Sequence, residues 1–265
     1  HPGGATEEFV SYVLRITNEK GVDRYKESSI GYDNNQDLLI EKAEIIKKNN
    51  AHIQGERNGN EVVFTNLEVG DIVVFKYRLQ RYVYGRFAKE YWDRYYLNSQ
   101  VYSGISRYSI MVPKDEKLNF RISNGNTVPT EKTIENFKQY RWENKKATPL
   151  KDEPLMPQLI DVGEVLHIST MKDWKDVANW YADVSNNKAE EDLEIIALYN
   201  KLLKDLPKST SQYAKARLIY DYLEKNIRYS SVSFRQSAYV PQRPSQTLST
   251  RLGDCKDFSS LFVTL

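Results

Sequence analysis

The residues that could do chemistry are concentrated near the end of the sequence, around its single cysteine, Cys255. Gly253 interrupts the preceding segment, and an apolar run with helical spacing follows, made of Phe258, Leu261, Phe262 and Leu265. This pattern predicts a helix that begins at or near Cys255. Exposed backbone N–H groups and the positive end of the helix dipole favour a thiolate there. A thiolate is the nucleophile of cysteine acyl-transfer enzymes.

The charged neighbours of Cys255 act on such a thiolate in opposite directions. Lys256 favours it, whereas Asp254 and Asp257 disfavour it by like charge. Asp254 is predicted to cap the helix by accepting hydrogen bonds from the backbone N–H groups of its first turn.

Acyl transfer also needs an oxyanion hole and a base. The backbone N–H of Cys255 is a natural oxyanion donor, and the polar candidates for a second donor are Gln242 and Tyr239 in the preceding loop. The three histidines, His1, His52 and His167, all precede the cysteine. His167 lies in an apolar, strand-like segment and is interpreted as a structural residue. The alternative for the cysteine itself is a small buried core residue, which is the commonest role of a lone cysteine.

The elements that must position these residues fall into three stretches. Residues 1–146 are predicted to form an antiparallel β-sandwich-like domain, because apolar residues alternate with period two and polar turns such as 57–60 and 123–126 separate the segments. Residues 147–170 are Pro-containing and without clear period, which indicates a linker. Residues 171–265 carry helical spacing. The predicted fold class is therefore α+β.

Three helices are predicted ahead of the cysteine helix. Asp173 is expected to cap the first, which carries Trp174 and Tyr181. The second spans 190–206 and the third 211–227. Their apolar spacing predicts inward-facing residues, which are Leu193, Ile196, Ala197, Leu203 and Leu206 in the second helix and Tyr213, Ala216, Tyr220, Leu223 and Ile227 in the third.

Composition excludes several classes of protein. A net charge of +2 over 265 residues is too small to indicate nucleic-acid binding by itself. No apolar run approaches the roughly 18 residues of a membrane-spanning helix. One cysteine rules out an internal disulfide and a cysteine-based zinc site, and no metal or other cofactor is expected.

The segment 78–108 interleaves basic and aromatic residues, and stacking there on Tyr91, Trp92 and Tyr95 could bind a glycan or single-stranded nucleic acid. The alternative is a strand face whose long side chains cover tyrosine rings, and the prediction is no nucleic-acid partner.

The C-terminal part resembles the bacterial transglutaminase-like superfamily of papain-like cysteine proteins. Two segments carry the resemblance, 241–248 (PQRPSQTL) and 251–257 (RLGDCKD). Two further segments also look like this family. They are the predicted helix 216–222 with its end at 226–229, and the segment 174–181 (WKDVANWY). Residues 60–64 with Leu67, 70–72 and Tyr77 are similar to a β domain of unknown function that precedes the transglutaminase-like domain in exported bacterial proteins.

The resemblance implies a Cys-His-Asp triad with Cys255 as nucleophile and with His and Asp partners downstream of residue 265. The chain is then expected to stop soon after the start of the nucleophile helix. The implied activity is cysteine-dependent acyl transfer, or hydrolysis of a peptide or other amide substrate. The alternative is a non-catalytic binding or scaffolding protein whose β domain binds a glycan or a protein. The resemblance to exported proteins and the first residue, His1, lead us to expect a periplasmic or cell-surface location.

Overall fold

The computed structural model describes residues 5–82, 85–186, 192–231 and 239–265. The chain divides into two units, His1–Met171 and Lys172–Leu265. Antiparallel strands build the first unit and helices dominate the second, so the α+β class predicted from the change of period is confirmed.

The first unit follows the predicted alternation of apolar and polar residues along its strands. In chain order its elements are β1 (Thr6–Arg15), α1 (Glu19–Tyr25), β2 (Glu27–Ser29), β3 (Gln36–Ile46), β4 (His52–Gln54), β5 (Glu56–Asn58), β6 (Glu61–Val63), β7 (Ile72–Arg81), β8 (Trp92–Tyr96), β9 (Ser103–Pro113), β10 (Asn119–Ser123), β11 (Thr130–Ile134), β12 (Phe137–Ala147), α2 (Leu159–Val162) and β13 (Val165–Ser169).

One core of this unit lies on the inner face of a four-stranded sheet of order β1-β7-β3-β4. On β7 the alternating Val73, Phe75 and Leu79 are buried, as their spacing predicted. The small sheet β2-β6-β5 belongs to the same core through Val62. Its β5–β6 hairpin turns at Gly59, whose φ of 60° is the left-handed conformation expected of an Asn-Gly turn.

A second core lies between two three-stranded sheets, β10-β13-β8 and β11-β12-β9. Leu166 and Ile168 from β13 meet Trp142 and Tyr140 from β12 across it. Two antiparallel sheets that share one core form the sandwich-like arrangement predicted for this part of the chain.

The stretch 147–170, expected to be a linker, contains ordered elements of the first unit. β13 is the central strand of its sheet and pairs with both β10 and β8. The buried Glu164 just before it accepts hydrogen bonds from the backbone and hydroxyl of Thr127 and from Asn144. The prolines and the missing period describe only the chain up to α2, because a five-residue strand is too short to show a period against the loop before it.

In its described residues the second unit contains four longer helices, a short one, and a parallel pair of two-residue strands. Its elements are α3 (Trp174–Asn186), α4 (Leu193–Leu203), α5 (Gln212–Asn226), β14 (Arg228–Tyr229), α6 (Pro244–Thr250), β15 (Leu252–Gly253) and α7 (Cys255–Thr264). The predicted cap Asp173 accepts hydrogen bonds from the N–H groups of Lys175 and Asp176. The predicted start of the second helix, Glu190, lies outside the described residues. None of the helices in the described ranges is both long and apolar enough to cross a membrane.

The predicted inward faces of α4 and α5 are partly wrong. On α4 the buried residues are Ile195 and Leu198, whereas the predicted Leu193, Ile196 and Ala197 are exposed. On α5, Leu223 and the following Ile227 are buried as predicted, but Tyr213 and Tyr220 are exposed. Each helix carries two overlapping apolar stripes, and hydrophobicity alone does not tell which of them faces the shared core. The core that the helices form joins Ile195, Ile219, Leu223, Ile227 and Leu261.

Candidate active site

Cys255 is the first residue of α7 and is exposed. This position confirms the predicted helix start, and in this structure the thiol is not part of the hydrophobic core. The first N–H groups of a helix have no partner within the helix. Within the described ranges, the Cys255 N–H donates to no acceptor, because the cap takes the N–H groups of the next two residues instead. A thiol and a free backbone N–H therefore occur on one residue at a helix N-terminus.

Asp254 caps α7, as predicted. Its side chain accepts hydrogen bonds from the N–H groups of Lys256 (3.2 Å) and Asp257 (3.4 Å). In return the side chain of Asp257 accepts the N–H of Asp254 at 3.0 Å, which completes a reciprocal capping box. The backbone on both sides of Cys255 is thus held by two carboxylates.

Asp257 is almost fully buried, with 1% exposure, and connects α7 to the loop before α6. Its two carboxylate oxygens accept the backbone N–H of Gln242 at 2.8 Å and the side-chain amide of Gln242 at 3.0 Å. Burial alone would raise the pKa of Asp257. The hydrogen bonds from Gln242 and Asp254 and the nearby charge of Lys256 outweigh burial, so the pKa lies below its ordinary value of 3.8. Asp257 is therefore a carboxylate at neutral pH.

Lys256 balances part of the negative charge at this helix start. Its ammonium group forms an ion pair with Asp254 and lies 4.0 Å from a carboxylate oxygen of Asp257. All three side chains are largely shielded from solvent, since Lys256 is 12% exposed and Asp254 10%. Two carboxylates and one ammonium leave a net charge of −1 beside Cys255. This charge disfavours a thiolate there, whereas the positive end of the helix dipole favours one.

The strand pair β14–β15 fixes the approach of the chain to Cys255. Arg228 donates its N–H to the carbonyl of Arg251 at 2.8 Å, and Ser230 donates to Gly253 at 2.9 Å. Gly253 is required by close packing: a Cβ there would lie 2.9 Å from the Cβ of Asp257 and 3.1 Å from the Cγ2 of Thr247. The glycine that was predicted to interrupt the segment before the cysteine thus lies where β15, α6 and α7 pack closely together.

The two predicted oxyanion donors have other contacts in the structure. Gln242 donates both its backbone N–H and its side-chain amide to Asp257. Tyr239 is 64% exposed and packs edge-on against Trp180, with ring centroids 6.1 Å apart. Neither contact involves Cys255, and the oxyanion role of both residues stays a prediction.

The spacing of Asp254 and Asp257 in the sequence was itself a signal that Asp257 takes part in capping α7, which the sequence analysis did not use. An acidic residue three positions after an acidic N-cap is the spacing of a capping box. We weighed Asp257 only as a like charge beside a thiolate. Its bonds to Gln242, fifteen residues earlier, had no local signal.

No histidine occurs in the second unit, since His167 is the last one in the sequence. His167 lies on β13 and His52 on β4, both in the first unit. His52 contacts Glu44 at 3.1 Å. In the part of the chain that the structure describes, no group of three or more His, Cys, Asp or Glu residues could hold a metal ion.

Comparison with known families agrees with this division of the chain. Residues 2–58 and 61–151 match a family described as a domain of unknown function with solved structure, DUF3857. Because that match covers more than half of the sequence, the chain belongs to this family. Residues 200–265, which include α5, α6 and α7, match the Transglutaminase-like superfamily.

One solved structure has a similar fold over the whole chain. It is the crystal structure, at 2.00 Å resolution, of a candidate protease from Parabacteroides distasonis. The TM-score is 0.76 and the sequence identity 18%, with 100% of this chain and 55% of the other covered. The chain therefore spans about half the length of that protein, and at this identity the likeness shows the fold. A search of curated proteins finds no match.

Proposed function

We propose that Cys255 is the nucleophile of a cysteine-dependent acyl transferase or amide hydrolase. The observation that supports this most is the position of Cys255. Its exposed thiol belongs to the first residue of α7, and the backbone N–H of the same residue has no hydrogen-bond partner in the described ranges. Buried cysteines are inert, whereas reactive ones are accessible and lie at helix N-termini. The match of residues 200–265 to the Transglutaminase-like superfamily supports the same assignment.

In the proposed reaction the thiolate attacks the carbonyl carbon of a peptide or other amide, and a C–S bond forms. The negative charge that develops on the carbonyl oxygen is stabilised by the N–H of Cys255. The C–N bond then breaks, and the amine leaves with a proton from the general acid. Water or a second amine attacks the resulting thioester, which restores the thiol.

The general acid and base of this reaction is proposed to be a histidine, oriented by an aspartate, in sequence that follows residue 265. This assignment rests on the resemblance to the transglutaminase-like superfamily. The network of Asp254, Asp257 and Gln242 then has a positioning role, because it holds the backbone on both sides of the thiol. Export of the protein to the periplasm or cell surface belongs to the same proposal.

The test uses the parent protein at its native length. Intact-mass analysis and sequencing of the C-terminal peptide are expected to show a histidine and an aspartate after residue 265. A peptide ester is expected to leave an acyl adduct on Cys255, and Cys255→Ser is expected to abolish it. A Val263→Ala variant, which changes an exposed residue at the other end of the same helix, is expected to keep the adduct.

Two results would overturn the proposal. One is a native-length protein whose thiol is alkylated by iodoacetamide no faster than a free cysteine peptide. The other is an acyl adduct that forms equally in Cys255→Ser, since the acylated group would then be a different residue.

A further inference from the structure

Three basic side chains lie side by side on the outer face of the sheet β10-β13-β8. The strand register places Arg121 of β10 opposite His167 of β13, and His167 opposite Arg94 of β8. Directly opposed residues project to the same face of a sheet. Leu166 and Ile168, the neighbours of His167 along β13, face the core, so the three basic residues face outward. We call Arg94, His167 and Arg121 the basic row.

The basic row lacks compensating charge. Within the described ranges, neither Arg94 nor Arg121 forms an ion pair with a carboxylate. Partial burial, followed by the charges of Arg94 and Arg121, lowers the pKa of His167 below its ordinary 6.5, so the imidazole is neutral at neutral pH. Two exposed guanidinium charges therefore flank a neutral imidazole on one face of the sheet, and an anion that bridges the two guanidinium groups would neutralise them.

Two guanidinium groups lie over aromatic rings at this face. Arg94 lies over the ring of Tyr96 with 5.6 Å between its Cζ and the ring centroid, and Arg81 lies over Trp92 at 5.2 Å. Trp92 and Tyr96 are on the outward side of β8, two positions from Arg94 in each direction. Trp92 is nevertheless 47% exposed, so apolar ring area remains next to the charges. Val165, two positions from His167, is buried, so the open part of this face begins at the basic row.

We propose that the basic row and Trp92 form a binding site for an acidic polysaccharide. Arg94 and Arg121 are separated by two strand spacings, roughly 10 Å, and the planar guanidinium of each can bind an oxyanion through two parallel hydrogen bonds. A chain of sugars that carry carboxylates or sulfates presents such groups repeatedly. The exposed part of Trp92 offers apolar area to individual C–H groups of a sugar, a contact that does not need a whole free ring face. This site lies in the first unit and does not depend on the proposed chemistry of Cys255.

The ring contacts favour a polysaccharide over single-stranded nucleic acid. A base stacks on a free aromatic face. At Trp92 one face lies beneath Arg81, and Phe87 packs against the ring at 86°, with centroids 6.4 Å apart. Tyr96 lies beneath Arg94. Tyr91 and Tyr95, which the sequence suggested as stacking residues beside Trp92, belong to the core on the other face of the sheet.

The test measures binding by fluorescence anisotropy at about 50 mM salt, where exposed charges are weakly screened. The labelled probes are galacturonate oligosaccharides, dextran sulfate, neutral dextran and oligothymidylate. Arg94→Gln with Arg121→Gln removes the two permanent charges of the basic row. Lys132→Gln with Arg141→Gln is the matched control, because it removes the same charge from exposed positions on the sheet β11-β12-β9.

We expect at least one acidic glycan to bind, and about a tenfold or larger loss of affinity in the Arg94/Arg121 variant against less than about twofold in the control. Binding of galacturonate indicates a carboxylated ligand, and binding of dextran sulfate alone a sulfated one. The Arg94/Arg121 variant is expected to melt close to the parent protein, since both side chains are exposed and neither forms an ion pair within the described ranges. No binding of either acidic glycan, equal losses in both variants, or equally tight binding of oligothymidylate would each overturn the proposal.

Discussion

Gln242 donates its backbone N–H and its side-chain amide to the two oxygens of one buried carboxylate, that of Asp257. A third donor, the N–H of Asp254, binds the same group. The loop before α6 and the first turn of α7 are therefore joined through a single side chain, two positions after the exposed thiol. Any displacement of that carboxylate moves both the loop and the helix start.

Asp257→Asn is expected to destabilise the second unit by about 2–4 kcal/mol, because an amide offers one acceptor where the carboxylate offers two and leaves a buried N–H unpaired. The measurement is hydrogen exchange of the α7 amides in increasing urea, which reports on the second unit alone. Asp221→Asn is the control, since it breaks only an exposed pair with Arg217 and is expected to change stability by less than about 1 kcal/mol.

The pH dependence of stability shows whether Asp257 stabilises the fold as a hydrogen-bonded carboxylate or only by filling space. The folded-state pKa is lowered, so the stabilisation is present above the unfolded value and is lost as pH falls through the folded value, below about pH 4. Asp257→Asn is expected to flatten this acid limb of the stability curve. An unchanged acid limb would contradict the assigned network.

Gly253→Ala is expected to cost about 1–3 kcal/mol, because the added methyl group would press on Asp257 and Thr247 in a closely packed region. The same change should slow alkylation of Cys255 if the helix start shifts. Thermal melts and iodoacetamide rates measure the two effects. Gly104→Ala, which meets no atom within 4 Å, is the control and is expected to stay within about 0.5 kcal/mol of the parent protein.

Gly125→Ala is expected to destabilise the first unit by about 2–4 kcal/mol, because its Cβ would overlap the side chain of the buried Glu164 and displace it from Thr127 and Asn144. Hydrogen exchange of the β13 amides is a suitable measurement, since loss of protection there reports on this carboxylate. Unchanged protection would show that the loop yields without moving Glu164.

His167 is expected to titrate below its ordinary pKa of 6.5, with Arg94→Gln or Arg121→Gln each raising the value. Because the folded-state pKa is lowered, the folded protein binds fewer protons, and stability falls as pH drops through about 6.5. NMR titration of the imidazole gives the pKa directly. A titration that neither substitution moves would show that the guanidinium groups do not face His167.

The fold class and the nucleophile position were predictable because both rest on local patterns. Period-two alternation and Asn-Gly turns define strands such as β7 and the β5–β6 hairpin, and a glycine, an acidic cap and an apolar run define the start of α7. The role of β13 was not predictable, since a five-residue strand after a Pro-containing stretch has too few residues to establish a period. The inward face of α4 was mispredicted because Leu193 and Ile195 are both strongly apolar, and only the packing of α4 against α5 and α6 selects between them. The basic row was invisible for a related reason: its members are distant in sequence and meet only through strand register.

The pairing of β14 with β15 brings the two ends of residues 230–251 to neighbouring positions, tied by the bonds from Arg228 to Arg251 and from Ser230 to Gly253. Cys255 is therefore positioned by two separate ties, one between β14 and β15 and one between Gln242 and Asp257. A sequence change outside these residues leaves both ties in place. Homologous chains can thus diverge widely around one unaltered thiol.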